Sequence, residues 1–514
     1  MTTKNRLFFS VGANGIKAAL SLVLGMLVAR SLGPENYGDL AFLLGSFWAI
    51  RALLDMGMGS AFYTFISQKD QDRKYYLVHF MWLACQFLFS LFLIGLLLPE
   101  SLLDRIWLGQ ERELIVWALL ATFLQNQVWQ TVIQAYESER KTSRIQIASL
   151  CVILVQLIVV LSFVVLSSLS VLLFLKIISV EYFLFTTFMC LRLGKEHREK
   201  SIQEENPSFN VVVTEYYHYC RPLVIVGMMS FVYEIADRWL LQRYGGSDQQ
   251  AFYQVAMQLS VVSVLVTTSI LNVLWKEIAE SNKNGDDARV IDLYHRLTRM
   301  LIATAMFFSC FLAPWAEEIV VLLLGADYKD AWPALFIMLF YPIHQCLGQI
   351  NGTLFRATGV TSLLMRITVV SLLASLPLSY FLIAPTSEVT FPGLELGALG
   401  LAIKVVGLNI VFVNIESWFI SRRYGSPFKW RQQITGTIVF LTLGYCSKFV
   451  GINAFPGGSA VAVIVGMVIS GSVFTVISIW GVKTIPKIFG IEKIDVDEVT
   501  THLKSLYVLG RGQR

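Results

Sequence analysis

The chain has 514 residues, of which 55% are hydrophobic and 15% are charged, and its formal net charge is +5. A soluble globular protein carries roughly 25% charged residues, so the composition excludes an ordinary soluble domain. The positive charge does not indicate nucleic-acid binding, because the basic residues are distributed as in a membrane protein. The cysteines fall in or beside apolar runs without any C-x-x-C spacing, which argues against a disulfide framework and a structural zinc site.

Apolar runs of about twenty residues or more recur along the chain, with short polar connections between them. Lipid offers no hydrogen-bond partners, so each run has to form a helix or part of a closed barrel. The runs are too long and too continuously apolar for barrel strands of about ten alternating residues. The sequence therefore predicts an all-α polytopic membrane protein with about fourteen transmembrane helices. The predicted spans are 8–32, 38–66, 76–98, 113–136, 145–167, 169–192, 219–242, 251–275, 293–315, 331–355, 361–384, 396–421, 432–451 and 458–482.

The lysines and arginines of the connections indicate how the chain is oriented. If the N-terminus faces the cytoplasm, most of these residues fall in cytoplasmic connections and few fall outside. The outside set is Arg105, Arg112, Arg243, Lys329 and Lys448. An odd number of spans would break this alternation, so we expect both termini in the cytoplasm.

Spans 1–6 and 7–12 look like two copies of one unit. Span 1 ends at Leu32-Gly33 and span 7 at Gly245-Gly246, each before a short turn, and Lys176 of span 6 matches Lys404 of span 12. Six spans per copy give both copies the same orientation, so we expect two parallel six-helix bundles (6+6) around a central cavity. Two C-terminal helices are added to them. The expected domains are an N-lobe at 1–193, a cytoplasmic linker at 194–218, a C-lobe at 219–422, helices 13 and 14 at 423–482, and a cytoplasmic tail at 483–514.

Several segments resemble a known family of flippases. Residues 29–38, ARSLGPENYG, resemble the A-R-x-L-G-P-x-x-Y-G junction after the first helix of polysaccharide-type flippases. Residues 54–61, LDMGMGSA, resemble a segment late in their second helix. Asp237-Arg238 with Gly245-Gly246 and 252–256, and the stretch 393–398, are similar to their later motifs. The family is the polysaccharide transport branch (O-antigen and exopolysaccharide flippases) of the multidrug/oligosaccharidyl-lipid/polysaccharide exporter superfamily.

The resemblance covers almost the whole chain and implies a function in surface polysaccharide biosynthesis. It implies a flippase that moves oligosaccharide repeat units, each linked to an isoprenoid diphosphate lipid, from the cytoplasmic to the outer leaflet by alternating access. It also implies a place in the bacterial inner or plasma membrane. The expected partners are the lipid-linked oligosaccharide and the lipid bilayer, with polysaccharide polymerase machinery as a further candidate.

Basic residues in or near the spans are the candidates for contact with the diphosphate. A charge in the membrane needs a partner, an aqueous cavity or an interface, and Arg can hold phosphate oxygens through two parallel hydrogen bonds. The alternative is local neutralisation, since Arg51 with Asp55 and Glu234 with Arg238 are spaced i, i+4 on one helix. Arg221 can also extend to the interface. The substrate-binding candidates are Lys17, Arg51, Lys176, Arg221, Arg238 and Lys404.

Amides and acids supply two further groups of candidates. Gln130 of span 4 and Gln349 of span 10 are candidates for hydrogen bonds to sugar hydroxyls, and the alternative is hydrogen bonding between helices. Asp55, Glu234 and Asp237 are candidates for coupling an H⁺ or Na⁺ gradient to transport, although a structural salt bridge is the favoured alternative. The sequence leaves the coupling ion open.

Two other classes of function were weighed. A multidrug or other small-molecule exporter of the same fold is the main alternative, because the intramembrane charges nearly cancel. A membrane enzyme such as a glycan polymerase or ligase would be expected to carry a sizeable outer loop, and the outer connections here are short. No G-x-x-x-x-G-K-[ST] or H-E-x-x-H motif occurs, so the sequence predicts neither an enzyme nor a cofactor or metal site.

Overall fold

The computed structural model describes residues 3–68, 73–198, 208–261, 278, 280–387 and 389–486. Helices joined by short turns account for this part of the chain, which contains no strand. Two π-helical segments, Leu93–Leu97 and Leu124–Val128, and two 3₁₀ segments, Ala313–Trp315 and Ala326–Ala331, lie between α-helices. The α-helices are α1 (Thr3–Asp55), α2 (Met58–Gln68), α3 (Arg73–Phe92), α4 (Glu100–Trp107), α5 (Arg112–Phe123), α6 (Trp129–Ser138), α7 (Thr142–Val165), α8 (Val171–Arg198), α9 (Phe209–Cys220), α10 (Leu223–Val261), α11 (Asp287–Leu312), α12 (Ala316–Leu324), α13 (Trp332–Met338), α14 (Tyr341–Ala357), α15 (Thr361–Ile383), α16 (Gly397–Arg423), α17 (Trp430–Ala454) and α18 (Ala460–Thr484).

Many of these helices are long and apolar enough to cross a membrane. Within the described ranges there are nine such segments, or up to eleven if each of two bent helix pairs counts as one span. The bent pairs are Phe209–Cys220 with Leu223–Ser260, and Ala326–Met338 with Tyr341–Ala357. The all-α polytopic membrane fold is therefore confirmed. Residues 262–275 of predicted span 8 and most of the predicted tail lie outside the described residues, and the arrangement of fourteen helices as 6+6 stays a prediction.

Two long helices break at glycines that the repeat aligns. Gly33 interrupts α1 with φ 76° and ψ 170°, and Gly246 interrupts α10 with φ 77° and ψ −177°. This region of backbone space is essentially restricted to glycine, because a Cβ atom clashes with the neighbouring backbone. The same conformation thus recurs at the ends of predicted spans 1 and 7, which is what two copies of one unit require.

The chain divides into two compact units. Unit 1 comprises residues 1–254 and 379–397, and unit 2 comprises 255–378 and 398–514. Each unit has buried apolar side chains of its own, with Phe42, Phe62 and Ile115 fully buried in unit 1. In unit 2, one apolar core joins α11, α14, α16, α17 and α18. The boundaries of the two predicted lobes stay a prediction.

The two C-terminal helices are fastened into unit 2 by polar contacts. The Ser470 hydroxyl donates to Ser447 Oγ over 3.1 Å between α18 and α17. Lys448 Nζ donates to the carbonyl of Pro314 over 2.8 Å and forms an ion pair of 2.5 Å with Glu318. The same ammonium lies 5.1 Å from the ring centroid of Trp315. Lys448 therefore joins α17 to the region where α11 ends and α12 begins.

Candidate functional site

Arg238 of α10 lies against a glycine of α1 in unit 1. Its Nη1 donates to the carbonyl of Ala41 over 3.4 Å. A Cβ atom added to Gly45 would lie only 2.1 Å from Arg238 Nη1 and 2.4 Å from Cζ. Because Gly45 has no side chain, the Arg238 guanidinium can occupy this space. The position of the positive charge therefore depends on this glycine.

Arg51 joins the same charged group. Its guanidinium lies 4.8 Å from the ring centroid of Trp48, and both Asp55 and Glu234 are close enough to act on it electrostatically. Glu234 in turn interacts electrostatically with Arg51 and Arg238. The fold thus brings together two predicted substrate-binding arginines, from α1 and α10, around one acid. We call Arg51, Glu234 and Arg238 the arginine cluster.

The two i, i+4 pairs, Arg51 with Asp55 and Glu234 with Arg238, interact electrostatically, so neutralisation along one helix stays an alternative. Among the described residues, Arg51 forms no ion pair with Asp55, and Glu234 forms none with Arg238. Glu234 Oε2 is buried and accepts no hydrogen bond from this part of the chain. The arginine cluster therefore interacts by charge over a distance, which leaves guanidinium donors that an anion can use.

The other two candidate coupling acids hold local donors. Asp55 ends α1, and its carboxylate accepts the backbone amides of Gly57 over 3.2 Å and Gly59 over 3.1 Å, which caps the start of α2. Asp237 accepts a hydrogen bond of 2.5 Å from the Ser379 hydroxyl. A part for Asp55, Glu234 and Asp237 in ion coupling stays a prediction.

The residues beyond the two glycine breaks pack against each other in unit 1. A Cβ atom on Gly38 would lie 1.8 Å from the carbonyl oxygen of Ser247. Asp39 Oδ1 accepts hydrogen bonds from the Ser247 hydroxyl over 2.6 Å and from Gln242 Nε2 over 3.2 Å. Gln242 Nε2 also lies 2.9 Å from Ser247 Oγ. We call Gly38, Asp39, Gln242 and Ser247 the junction contact.

The remaining candidates of unit 1 lie apart from the arginine cluster. Lys17 is half-buried on α1, Arg221 is exposed at the turn before α10, and Gln130 is exposed on α6. Lys176 of α8 forms an ion pair of 3.2 Å with Glu113 and lies 5.4 Å from the Trp117 ring centroid. Within the described ranges, no hydrogen bond or ion pair joins any two of these four side chains.

Two candidates belong to unit 2. Lys404 of α16 is only 1% exposed, whereas Gln349 of α14 is half-buried. Unit 2 also contains a small, partly open cavity of about 50 Å³. Its lining combines the apolar Ile302 and Met306 with the basic Arg299 and Lys429, and it includes no carboxylate among the described residues.

Sequence reasoning did not identify the cavity, Gly45 or the junction contact. The basic residues around the cavity were assigned to cytoplasmic connections, and their clustering near 289–299 and 422–431 was the available signal. Gly45 and Arg238 are 193 positions apart in the numbering, and Asp39 and Ser247 are separated by 208 residues. Nothing in a single sequence pairs residues at that distance.

Comparisons with known proteins agree on the type of fold. Residues 4–275 match the family described as polysaccharide biosynthesis protein. A structure of the lipid II flippase MurJ in an inward closed conformation superposes with a TM-score of 0.65 and 14% identity, covering 92% of this chain and 98% of that one. An inward-facing multidrug resistance MATE family transporter of the MOP superfamily gives 0.62 and 14%, covering 79% and 95%.

A third similar structure is a MOP superfamily transporter from Pyrococcus furiosus, with a TM-score of 0.54 and 13% identity, covering 83% of this chain and 99% of that one. A search among proteins with curated functions found no match to this sequence. At these levels of identity, the structural likeness establishes a shared fold.

Proposed function

The chain belongs to the polysaccharide biosynthesis protein family, and we propose that it is a flippase for lipid-linked oligosaccharides. It moves repeat units on an isoprenoid diphosphate lipid from the cytoplasmic to the outer leaflet, for the biosynthesis of surface polysaccharides such as O-antigen or exopolysaccharide. The fold that it shares with a lipid II flippase and with MOP superfamily transporters supports transport rather than catalysis. The proposed location is the bacterial inner or plasma membrane, with both termini in the cytoplasm.

The arginine cluster is the observation that carries this proposal. A diphosphate loses part of its hydration shell inside a membrane protein, so it needs charged donors in place of water. Arg51 and Arg238 supply two guanidinium groups on different helices, and each guanidinium can hold two phosphate oxygens. Glu234 interacts electrostatically with both arginines, and its negative charge offsets part of their positive charge when no anion is bound. When the diphosphate binds, its negative charge replaces that of Glu234 as the partner of the two arginines.

In this proposal, the junction contact closes one end of the transport path during alternating access. Its residues come from predicted spans 1–2 and 7–8, which the expected N-lobe and C-lobe contribute separately. Separation of Gly38 from Ser247 and loss of the hydrogen bonds to Asp39 would open that end. The central cavity between two six-helix lobes is part of the proposal.

Other candidate residues extend the proposed path. Gln130 and Gln349 contact sugar hydroxyls, and Lys17, Lys176, Arg221 and Lys404 bind the diphosphate at other stages of transit. Asp55, Glu234 and Asp237 are the proposed acids for coupling to H⁺ or Na⁺. Polysaccharide polymerase machinery is the proposed partner that consumes the product.

The alternative function is an ion-coupled multidrug or small-molecule exporter. The presence of an acid between the two arginines favours it, because a nearly neutral site suits cationic or neutral drugs. The two functions predict different phenotypes for a deletion of the gene. Loss of a flippase stops the production of surface glycan, whereas loss of an exporter lowers drug tolerance.

The deciding experiment expresses variants in cells that lack the chromosomal gene. Arg51→Gln and Arg238→Gln each remove charged hydrogen bonds, and we expect surface glycan to fall about tenfold or more in each. Mass analysis should find the lipid-linked repeat unit accumulating inside. Arg366→Gln, an exposed arginine of α15, is the matched control and should keep full glycan.

Membrane abundance has to be equal in all variants for the result to count. Normal surface glycan in the Arg51→Gln/Arg238→Gln double variant would refute the assignment of the arginine cluster. Unchanged glycan together with lowered drug tolerance in the deletion would favour the exporter.

A further inference from the structure

Glu181, near the middle of α8, is a buried acid without a partner. It is 7% exposed, and neither carboxylate oxygen accepts a hydrogen bond from the described residues. No described lysine, arginine or histidine forms an ion pair with it. The backbone amide of Gln156 lies near the carboxylate. That amide lies inside α7, where it already donates to the backbone carbonyl four residues earlier in the helix.

The helices around Glu181 contain further buried polar atoms without partners. Thr122 Oγ1 of α5, Gln127 Oε1 of the π-helical segment 124–128 and Thr186 Oγ1 of α8 each lack a hydrogen bond among the described residues. Gln156 is buried as well, and Gln125 Nε2 donates to Tyr182 Oη over 3.2 Å. Buried polar groups are normally hydrogen-bonded, so several orphaned groups in one bundle call for an explanation.

The π-helical segment supplies an independent sign of function. Residues 124–128 interrupt what would otherwise be one continuous α-helix from α5 to α6, and they pack against α8. A π-segment displaces the i→i−4 pattern and is retained mostly at functional sites. Here it turns Gln125 towards Tyr182, the residue next to Glu181.

Charged groups on the surrounding elements do not compensate Glu181. The elements packed against α8 include α1, α5, α6, α7 and the segment 124–128. Lys176, the nearest basic residue along α8, is paired with Glu113 of α5. The titratable groups of these elements and of α8 whose side chains the structure describes are Lys17, Arg30, Glu35, Tyr37, Asp39, Arg51, Asp55, Arg112, Glu113, Tyr136, Glu137, Arg144, Cys151, Lys176, Tyr182, Cys190, Arg192 and Lys195.

We infer that Glu181 is a proton-binding site that couples the proton gradient to transport, an inference that rests on the proposed function. An ionised carboxylate buried without a cation or donors is destabilised by several kcal/mol, and uptake of one proton removes that cost. The packed state therefore holds the acid as COOH. When water enters between α8 and its neighbours, the proton leaves to water and the carboxylate remains. One proton is taken up and one released in each cycle, and it travels inward while the substrate travels outward.

Glu181 differs from the three acids that the sequence proposed for coupling. Asp55 holds two backbone amides, Asp237 holds the Ser379 hydroxyl, and Glu234 interacts with two arginines. Each of these three acids therefore has a donor or a cation nearby. By contrast, Glu181 accepts no hydrogen bond and forms no ion pair among the described residues.

Infrared spectroscopy of the purified full-length protein tests proton binding directly. We expect a protonated-carboxyl band at neutral pH that disappears in Glu181→Gln and shifts in Glu181→Asp. Glu317→Gln, which changes an exposed acid paired with Lys329, is the control and should leave the band unchanged. A band that persists unshifted in both Glu181 variants would overturn the inference.

Flipping of a fluorescent isoprenoid diphosphate oligosaccharide in proteoliposomes tests the coupling. With one proton per cycle, a gradient acidic on the outer side should raise the steady-state ratio of outer to inner substrate about tenfold per pH unit. Glu181→Gln should still equilibrate the substrate but lose this dependence, while Glu317→Gln keeps it. A wild-type ratio that ignores the gradient would overturn the inference and leave the proposed function standing.

Absence of flipping by the wild-type protein would instead count against the proposed function. The infrared measurement requires no substrate, so in that case it still decides whether Glu181 binds the proton.

Discussion

Two pairs of residues that the repeat aligns behave in opposite ways. Gly33 and Gly246 share one backbone conformation, with φ of 76° and 77°. Lys176 and Lys404 differ in burial: Lys176 forms an accessible ion pair with Glu113, whereas Lys404 is 1% exposed. The backbone geometry of the helix break is therefore shared between the two aligned positions, whereas the burial of the aligned lysines is not.

The difference has a physical cause. The conformation at Gly33 and Gly246 is closed to residues with a Cβ, so any replacement is strained wherever the chain must turn in that way. A lysine carries no such backbone requirement. Its long side chain reaches water, an acid or a buried acceptor according to the helices that pack around it, and those neighbours are free to change.

The largest expected effect separates the two lysines. Lys404→Met removes a fully buried ammonium and leaves the group that it contacts without its partner. We therefore expect a loss of about 3 kcal/mol in the free energy of unfolding. Lys176→Met removes an accessible ion pair and should cost less than about 1 kcal/mol. Denaturant titration in detergent measures both, and equal losses would show that the two lysines are equivalent after all.

Gly38 tests the junction contact, where the copies differ in sequence. Five residues after each helix break, the first copy has Gly38 and the second has Ala251. Gly38→Ala places a methyl group against the backbone of Ser247, which cannot move aside as a side chain can, so we expect a loss of about 3 kcal/mol. Gly407→Ala, at a glycine with nothing within 4 Å of an added Cβ, is the control in the same titration. A neutral Gly38→Ala would mean that the junction contact is absent in the membrane.

The two helix breaks should respond equally. Gly33→Ala and Gly246→Ala each add a Cβ that meets no atom within 4 Å, so the cost arises from the backbone conformation alone. We expect about 1–3 kcal/mol for each, and the same value within error. A large difference between them, measured by the same titration, would break the structural equivalence of the two copies.

Gly45→Ala should have the smallest effect on stability and a large one on transport. The added methyl group displaces the end of a flexible side chain, the Arg238 guanidinium, so we expect a stability loss of no more than about 1 kcal/mol. Surface glycan should nevertheless fall as in Arg238→Gln. Combining the two changes should add nothing further, and an additive loss would show that Gly45 acts on another residue.

The fold could be predicted from the sequence wherever a single segment determined it. Predicted span 145–167 corresponds to α7, and the last two spans correspond to α17 and α18, because each is a continuous apolar run with polar ends. The break after Asp55 and the π-helical segments were not predicted. They depend on how the helices pack against their neighbours, which cannot be predicted from the periodicity of apolar residues.

The candidate site was predictable in residue type but not in grouping. Arg51 and Arg238 stood out because charges are rare in spans, but their convergence on Glu234 depends on α1 and α10 lying side by side. Gly45 gave no signal because a glycine in an apolar run is unremarkable. Glu181 was visible as an intramembrane acid, and only its surroundings distinguish it from the others.

The ion pair of Lys448 with Glu318 has a consequence for how the protein is made. Lys448 follows Pro314 by 134 residues, and Glu318 lies just after Pro314. At roughly 5–20 residues per second, the ribosome takes about 6 to 26 seconds to reach the lysine after it has made the acid. During that interval α12 is in the nascent chain without the cation that holds it. Chains that stop before α17 lack the lysine that pairs with Glu318, so the start of α12 acquires its partner only when the last two helices are being added.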